Sequence, residues 1–300
     1  MGDVQKMPDF SESFRMTDGV CVVDWDEVEA SIEKERGEGG LDEYWGHAAR
    51  CWISKVADGQ RNEARVFETA NLLVMSSYAS EGQVRLGRNL EEALSSVLSY
   101  LGQAAESERW GKLVVLVFED SLSYSNYIAQ FYPEDSVIPM SGGICINEGY
   151  VHIALYEDEW GDLISAFVHE ATHAYVGHLP LPLWMNEAIA MRMEGLVAGK
   201  PEYQLDRELY GRHRTHWNRE TLEQFKSGEA WSIPGDSSGF SYQLAEILWK
   251  KIETNLEAKP DEIQELIGKA SWEDSGELAL QEIFGIQLDD LLRSFLGDVL

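Results

Sequence analysis

The sequence predicts an α+β protein, with a mixed β-sheet in an N-terminal lobe and helices in a C-terminal lobe. Two observations predict this class. Apolar runs rich in β-branched residues alternate with amphipathic helical spacing up to Leu155, and after Leu163 only helical spacing continues. The composition, 44% hydrophobic and 26% charged over 300 residues, is typical of a globular chain and excludes disorder, collagen and coiled coil for the chain as a whole.

The first 62 residues are predicted to be a helical N-terminal extension. A polar lead precedes Asp24–Glu35, where Val28 and Ile32 recur at helical spacing. A glycine-rich stretch ends that helix, and helical spacing resumes over Leu41–Val56. We therefore expect two short helices before the sheet begins.

Residues 63–178 are predicted to form an α/β lobe that ends in one further helix. Strands are inferred from continuous apolar runs and helices from amphipathic spacing. The expected elements are, in order, a buried strand over Ala64–Ser77, a helix capped by Asn89, a strand from Lys112, a helix over Ser121–Phe131, and two strands from Gly142 that turn at Glu148 and Gly149. Residues 179–300 show only helical spacing and are predicted to form a helical C-terminal lobe.

The charge of the chain restricts its partners. There are 53 acidic residues against 24 Lys and Arg, which gives a formal net charge of -29. Such a chain repels nucleic-acid phosphates and anionic lipid surfaces, so neither partner is expected. The sequence also contains no apolar run of 18 or more residues and no signal-peptide pattern at its first residues.

The three cysteines indicate a reducing compartment. Cys21, Cys51 and Cys145 are odd in number and far apart, so they form neither a disulfide framework nor a cysteine-based zinc site. Together with the lack of a long apolar run and of a signal-peptide pattern, this predicts a cytoplasmic protein. The pattern gives no indication of its oligomeric state.

A His-Glu-x-x-His motif lies in the helix that closes the α/β lobe. Its residues are His169, Glu170 and His173, within FVHEATHAYVGH. At about 100° per residue, both histidines project opposite an apolar stripe that contains Phe167 and Ala171. Two histidines one turn apart can bind one Zn²⁺ ion, and Glu170 beside them can accept a proton from metal-bound water. The motif therefore predicts a zinc centre with a general base.

A catalytic zinc usually takes a third protein ligand, and Glu187 is the best candidate. It lies in LPLPLWMNEAIAMRMEGL, where prolines redirect the chain so that a second helix can fold back towards the metal. His178 is the rival, but it follows His173 by five residues instead of the six of the metzincin pattern. Glu194, two turns after Glu187, is expected either to orient a ligand histidine or to be solvated.

These motifs resemble those of the gluzincin metallopeptidases. HEATH followed fourteen residues later by the Glu of WMNEAIA is similar to the pattern of the compact peptidase-MA-like proteins, or minigluzincins. GGICINEGYVHIAL and GFSYQLAEILWKKI fit the same group, so the resemblance covers roughly residues 64–255. It implies a zincin-like fold in which the C-terminal lobe carries the third ligand.

The resemblance also implies roles for individual residues. The implied zinc ligands are His169, His173 and Glu187, and the implied catalytic residues are Glu170 as general base and acid and Tyr242 as oxyanion stabiliser. Tyr210, His213 and His216 are alternatives to Tyr242. The strand before the motif helix, Tyr150–Glu157, is the expected edge strand that would bind extended substrate by backbone pairing.

Two departures from the family pattern qualify this resemblance. Ala188 replaces the glycine that usually follows the ligand glutamate, a change that a helix tolerates. No GxMEN segment is present, which argues against an aminopeptidase. The sequence therefore predicts a zinc-dependent metallopeptidase that hydrolyses peptide or protein substrates with a zinc-activated water. The alternative is a non-catalytic scaffold that binds a peptide or protein partner in the equivalent cleft.

Overall fold

The protein has an α+β fold, as predicted. A computed structural model describes residues 7–17, 20–35, 40–60, 63–107, 109–133, 141–157, 160–201, 206–233 and 235–297. By compactness the chain divides into two units, one comprising Met1–Leu94 with Glu108–Ala174, and the other comprising Ser95–Ser107 with Tyr175–Leu300. The predicted division into three segments at residues 62 and 178 stays a prediction.

All the strands of the described residues lie in the first unit. They are β1 (Phe14–Thr17), β2 (Val20–Val23), β3 (Arg65–Glu68), β4 (Leu72–Ser76), β5 (Leu113–Phe118), β6 (Gly143–Ile146) and β7 (His152–Tyr156). β1 and β2 form an antiparallel pair, and the other five form a mixed sheet in the order β3-β4-β5-β7-β6. The three central strands β4, β5 and β7 are parallel, and both outer strands run antiparallel to their neighbours.

The helices account for most of the remaining chain. They are α1 (Trp25–Glu35), α2 (Leu41–Asp58), α3 (Ser80–Leu101), α4 (Ser121–Ile128), α5 (Trp160–Val176), α6 (Leu183–Met193), α7 (Arg207–His216), α8 (Arg219–Ser227), α9 (Ser237–Asn255), α10 (Pro260–Lys269), α11 (Glu277–Phe284) and α12 (Leu288–Leu296). None of the helices in the described part of the chain combines the length and apolar character that crossing a bilayer requires.

The predicted single strand over Ala64–Ser77 is wrong, because this segment forms a hairpin. Its turn lies between β3 and β4, where the backbone N–H of Thr69 donates to the carbonyl of Leu72 at 2.9 Å. Glu91 on α3 fixes the turn by accepting from the Thr69 hydroxyl at 2.5 Å and from the Asn71 backbone N–H at 2.7 Å. A distant carboxylate thus supplies partners that a propensity argument does not include.

The predicted helix cap at Asn89 is also wrong. α3 begins nine residues earlier, at Ser80, and its buried stripe already includes Leu86. Position 87 lies inside this helix and is a glycine because a side chain there would come within 2.8 Å of the Thr69 methyl group. The close approach of α3 to the β3–β4 turn therefore explains a glycine that looks like a helix breaker in the sequence.

The N-terminal segment shares a core with the sheet. Helices α1 and α2 form as predicted, whereas the β1–β2 hairpin was not predicted because each strand has only four residues. Val28, Tyr44 and Trp52 are buried in the same hydrophobic cluster as Leu116 of β5 and Ala154 of β7. These first residues therefore cover one face of the sheet in the first unit.

The central strands depend on that cover. Every residue of β5 is buried, and β7 is buried over four of its five residues. A continuous apolar run is the expected pattern for a strand with both faces covered. The predicted strand from Lys112 and the predicted pair of strands that turn at Glu148 and Gly149 are both confirmed.

Candidate metal centre

Helix α5 presents the histidines of the motif on its less buried side. Phe167, Val168 and Ala171 are fully buried, whereas His169 and His173 are half-buried. The two imidazole rings lie 4.6 Å apart between centroids and are inclined at 78°. This is the arrangement that the 100° helical periodicity predicts for residues one turn apart.

Glu187 on α6 joins the two histidines. Among the residues that the structure describes, His169, His173 and Glu187 offer ligand atoms that all lie within 4.8 Å of one another. In a zinc tetrahedron with bonds of about 2.1 Å the ligand atoms are about 3.4 Å apart. Side-chain rotations that move the ligand atoms by about 1 Å would therefore complete the geometry. Two imidazoles and one carboxylate are a donor set of catalytic zinc, and the residues present therefore fit the ion.

His178 lies outside this group. It is exposed, in the short link that follows α5, and the ligand cluster within the described ranges does not include it. In that link, the backbone N–H of Leu179 donates to the carbonyl of Val176 at 2.9 Å. The link then passes through Pro180 and Pro182 into α6, whose first turn carries Trp184 and Met185, both fully buried.

Glu170 faces the sheet instead of the solvent. Its exposed fraction is 8%, although it follows His169 directly. A side chain placed on Gly143 of β6 would lie 3.1 Å from Cγ of Glu170. Burial, with the negative charge of Glu170 as a second cause, raises the pKa of the Cys145 thiol on the same strand. The candidate general base therefore packs directly against β6.

The prediction that Tyr150–Glu157 contains the edge strand is wrong. β7 lies between β5 and β6, so its backbone groups are used within the sheet. β6 is the outer strand on this side of the sheet, and no described strand pairs with its other side. A sequence pattern indicates strands but not their order, and here β7 lies inside because it pairs with β5 as well as with β6.

Glu194 is buried, so the expectation that it is solvated is wrong. Its exposed fraction is 4%, and it forms an ion pair with Lys200. It begins a short π-helix, Glu194–Ala198, directly after α6. The other expectation, that Glu194 orients a ligand histidine, stays a prediction.

The candidates for oxyanion stabiliser lie on two helices of the second unit. Tyr242, on α9, has its ring 6.1 Å from that of Trp231. His213, on α7, is fully buried, and its Nδ1 accepts a hydrogen bond from Trp217 Nε1 at 3.0 Å. Its pKa is lowered to about 4, mainly by burial. His213 therefore has a packing role, while the assignment of Tyr242 stays a prediction.

The other two alternatives on α7 also make aromatic contacts. His216 stacks on Phe240, with centroids 4.4 Å apart and an angle of 21°. Tyr210 meets Phe295 edge-on at 5.7 Å. Neither contact supplies evidence for a role in catalysis.

Sequence reasoning missed Gly143 as a residue of this site. The pair Gly142-Gly143 before an apolar run carried the signal, since a glycine in a strand often marks close backbone approach. The structure gives the reason for only one of the two. A methyl group on Gly142 would meet Cβ of Ala166 at an ordinary 3.4 Å, whereas Gly143 faces Glu170 and Leu155.

Comparison with known proteins adds no assignment. No protein-family model matches the chain, and no curated protein matches it.

Proposed function

We propose that the protein is a zinc-dependent metallopeptidase with a zincin-like fold. The observation that carries this proposal is the convergence of two imidazoles and one carboxylate, His169, His173 and Glu187, beside a second carboxylate. The second carboxylate, Glu170, lies on the same helix as the histidines and is nearly buried. A metal site that only stabilised the fold would need a closed set of ligands and no base.

The three ligand residues would hold the ion and leave a position open. Zinc bound there would supply a Lewis acid that lowers the pKa of water and polarises a carbonyl group. His169 and His173 bind metal only as neutral imidazoles, so metal binding competes with protonation. Glu187 contributes a negative charge, which partly neutralises the ion.

Glu170 would move the proton. A carboxylate beside the centre can accept a proton from the attacking water and pass it to the leaving amine as the peptide bond breaks. Its burial against β6 limits the rotamers it can adopt. This restriction favours a fixed position for the transferred proton.

β6 would bind the peptide substrate. Its outer side is one of the two edges of the described sheet, and an extended peptide can add to such an edge through backbone hydrogen bonds. The absence of a GxMEN segment favours cleavage within a chain over removal of the N-terminal residue. The charge of -29 argues against nucleic acid or an anionic membrane as partner, and the cysteine pattern favours a cytoplasmic location.

Two substitutions test this proposal because they remove different functions. Glu170→Gln should keep near-stoichiometric zinc and reduce peptide cleavage by about 10²–10⁴-fold, because an amide cannot accept the proton. Glu187→Ala should lose zinc and cleavage together, because only two ligands remain. Asp162→Asn, an exposed acidic position on α5, is the matched control and should change neither.

The measurements are metal content and cleavage of a mixed peptide library followed by mass spectrometry. Wild-type cleavage rates in Glu170→Gln would overturn the mechanism. Tight zinc binding in Glu187→Ala would show that the third ligand is another residue. Stoichiometric zinc in a wild-type protein that cleaves no peptide would favour the non-catalytic scaffold.

A further inference from the structure

A short segment near the C-terminus holds the beginning of α6. We call this segment, Ser271–Gly276, the brace. The backbone N–H of Trp272 donates to the carbonyl of Pro180 at 2.6 Å. The indole Nε1 of Trp184 donates to the carbonyl of Ser275 at 3.0 Å. The brace therefore contacts both the link before α6 and its first turn.

The brace is fixed by its own hydrogen bonds. The N–H of Gly276 donates to the carbonyl of Ser271 and to Oδ1 of Asp274, both at 2.9 Å. The Ser275 hydroxyl donates to the carbonyl of Lys226 at 3.0 Å. Ser275 also adopts a left-handed backbone, with φ of 59°, which a residue other than glycine adopts only where its surroundings impose it.

Gly276 makes the closest approach to α6. A methyl group on this residue would lie 2.5 Å from Cε and 3.1 Å from Sδ of Met185, and 3.4 Å from Cγ of Pro182. Met185 is fully buried. Gly276 has φ of 81°, so glycine suits the position both for its backbone and for the space it leaves.

These contacts act on the residues next to a metal ligand. Trp184 and Met185 precede Glu187 by three and two residues in the same helical segment. A helix fixes its backbone positions relative to one another, so a contact that fixes the first turn also fixes the direction in which the Cα–Cβ bond of Glu187 leaves the helix. The brace approaches that turn from a position about 90 residues further along the chain.

We infer that the brace positions Glu187 for metal binding, with Gly276 as the positioning residue. This inference rests on the proposed metal centre. Residues that orient a ligand typically change metal affinity by about 10- to 100-fold when they are altered. The brace would therefore set the affinity for zinc without contacting the ion.

The test is the zinc affinity of Gly276→Ala, measured by competition with a chromogenic chelator. Gly285→Ala is the matched control, since Gly285 lies at the other end of α11 with φ of 70° but has no neighbour within 4 Å of an added methyl group. Both variants replace a left-handed glycine, so both bear the same backbone cost. We expect zinc affinity to fall about 10- to 100-fold in Gly276→Ala and to stay within about threefold in Gly285→Ala.

A second measurement separates positioning from general damage to the fold. In a Glu187→Ala background the ligand is absent, so Gly276→Ala should no longer weaken the residual zinc binding. Equal weakening with and without Glu187, or equal effects of Gly276→Ala and Gly285→Ala, would overturn the inference. Trp184→Phe, which removes the indole N–H that contacts Ser275 together with part of the buried ring, gives the same comparison if Gly276→Ala does not fold.

The outcome also distinguishes this inference from the proposed function. If the wild-type protein binds zinc and cleaves peptides while the brace variants match their control, the inference alone fails. If the wild-type protein binds no zinc, the proposed metal centre fails first.

Discussion

Helices α5 and α6 contribute to the same candidate centre in different ways. α5 supplies two candidate donors and the proposed general base from one motif, and the positions of its two rings follow from helical periodicity. α6 supplies one donor, Glu187, and its first turn is held by Trp272 and Ser275 from far along the chain. A motif thus determines geometry within one helix, whereas a ligand from a second helix depends on distant contacts.

Acid should have the largest effect on the free energy of unfolding, through a buried histidine on β7, the strand that precedes α5. His152 on β7 is fully buried, accepts from the Tyr127 hydroxyl at 2.7 Å and donates to the Tyr150 carbonyl at 2.7 Å. Burial lowers its pKa from the ordinary 6.5 to about 4. Below about pH 6.5 the unfolded chain binds a proton that the folded protein does not, so the free energy of unfolding falls as the pH drops towards 4.

The free energy of unfolding should fall by on the order of 3 kcal/mol between pH 7 and pH 4 because of His152. Urea unfolding at several pH values measures it. His152→Gln keeps a donor and an acceptor but does not titrate, so its pH dependence should be shallower. The slope that remains should include His213 of the second unit, whose pKa burial also lowers to about 4. An unchanged slope in His152→Gln would contradict this account.

Gly143→Ala tests the α5 side of the proposed centre. It should shift the proposed base, Glu170, without changing the candidate zinc ligands. The added methyl group would collide with Cδ2 of Leu155 and would lie 3.1 Å from Cγ of Glu170, closer than an ordinary contact. We expect kcat to fall about tenfold through displacement of the base, with zinc content unchanged. Gly142→Ala meets only Ala166 at an ordinary distance and should retain full activity. Equal kcat values for the two variants would show that β6 does not constrain Glu170.

The smallest effect is expected for a local hydrogen bond on α5, in contrast to a distant hydrogen bond on α6. On α5 the buried Thr172 hydroxyl donates to the carbonyl of Val168, four residues earlier, at 2.8 Å. That carbonyl also accepts a backbone hydrogen bond within the helix, so it keeps a partner when the hydroxyl is removed. Thr172→Val should therefore change the free energy of unfolding by less than about 0.5 kcal/mol. Trp184→Phe should cost at least about 1 kcal/mol, because the carbonyl of Ser275 loses its distant donor and the smaller ring leaves a cavity at a fully buried position. Denaturant unfolding of both variants at neutral pH tests the difference, and similar costs would remove the contrast between the helices.

Features with a local cause could be predicted from the sequence. The α+β class, α1, α2, the strand from Lys112 and the helical second half all follow from periodicity or from continuous apolar runs. The ligand group of His169, His173 and Glu187 was also named from the motif and its spacing, and the structure brings these three together.

Features with a distant cause could not be predicted. The turn at Thr69 depends on Glu91, and the glycine at position 87 inside α3 is explained by its close approach to that same turn. The order of β6 and β7 depends on which partner each strand finds, and the sequence of a strand does not specify its partner. The brace belongs to the same class, since nothing in Ser271–Gly276 itself indicates α6.

The length of β6 has a consequence for the proteins that such an enzyme could cut. Four residues at about 3.3 Å each give an edge of about 13 Å, so backbone pairing covers only about four residues of a substrate. Those residues must be extended and free of their own hydrogen bonds. In native proteins such stretches occur at termini and loop tips. Local unfolding of the substrate, more than its sequence, would therefore decide which chains are cleaved.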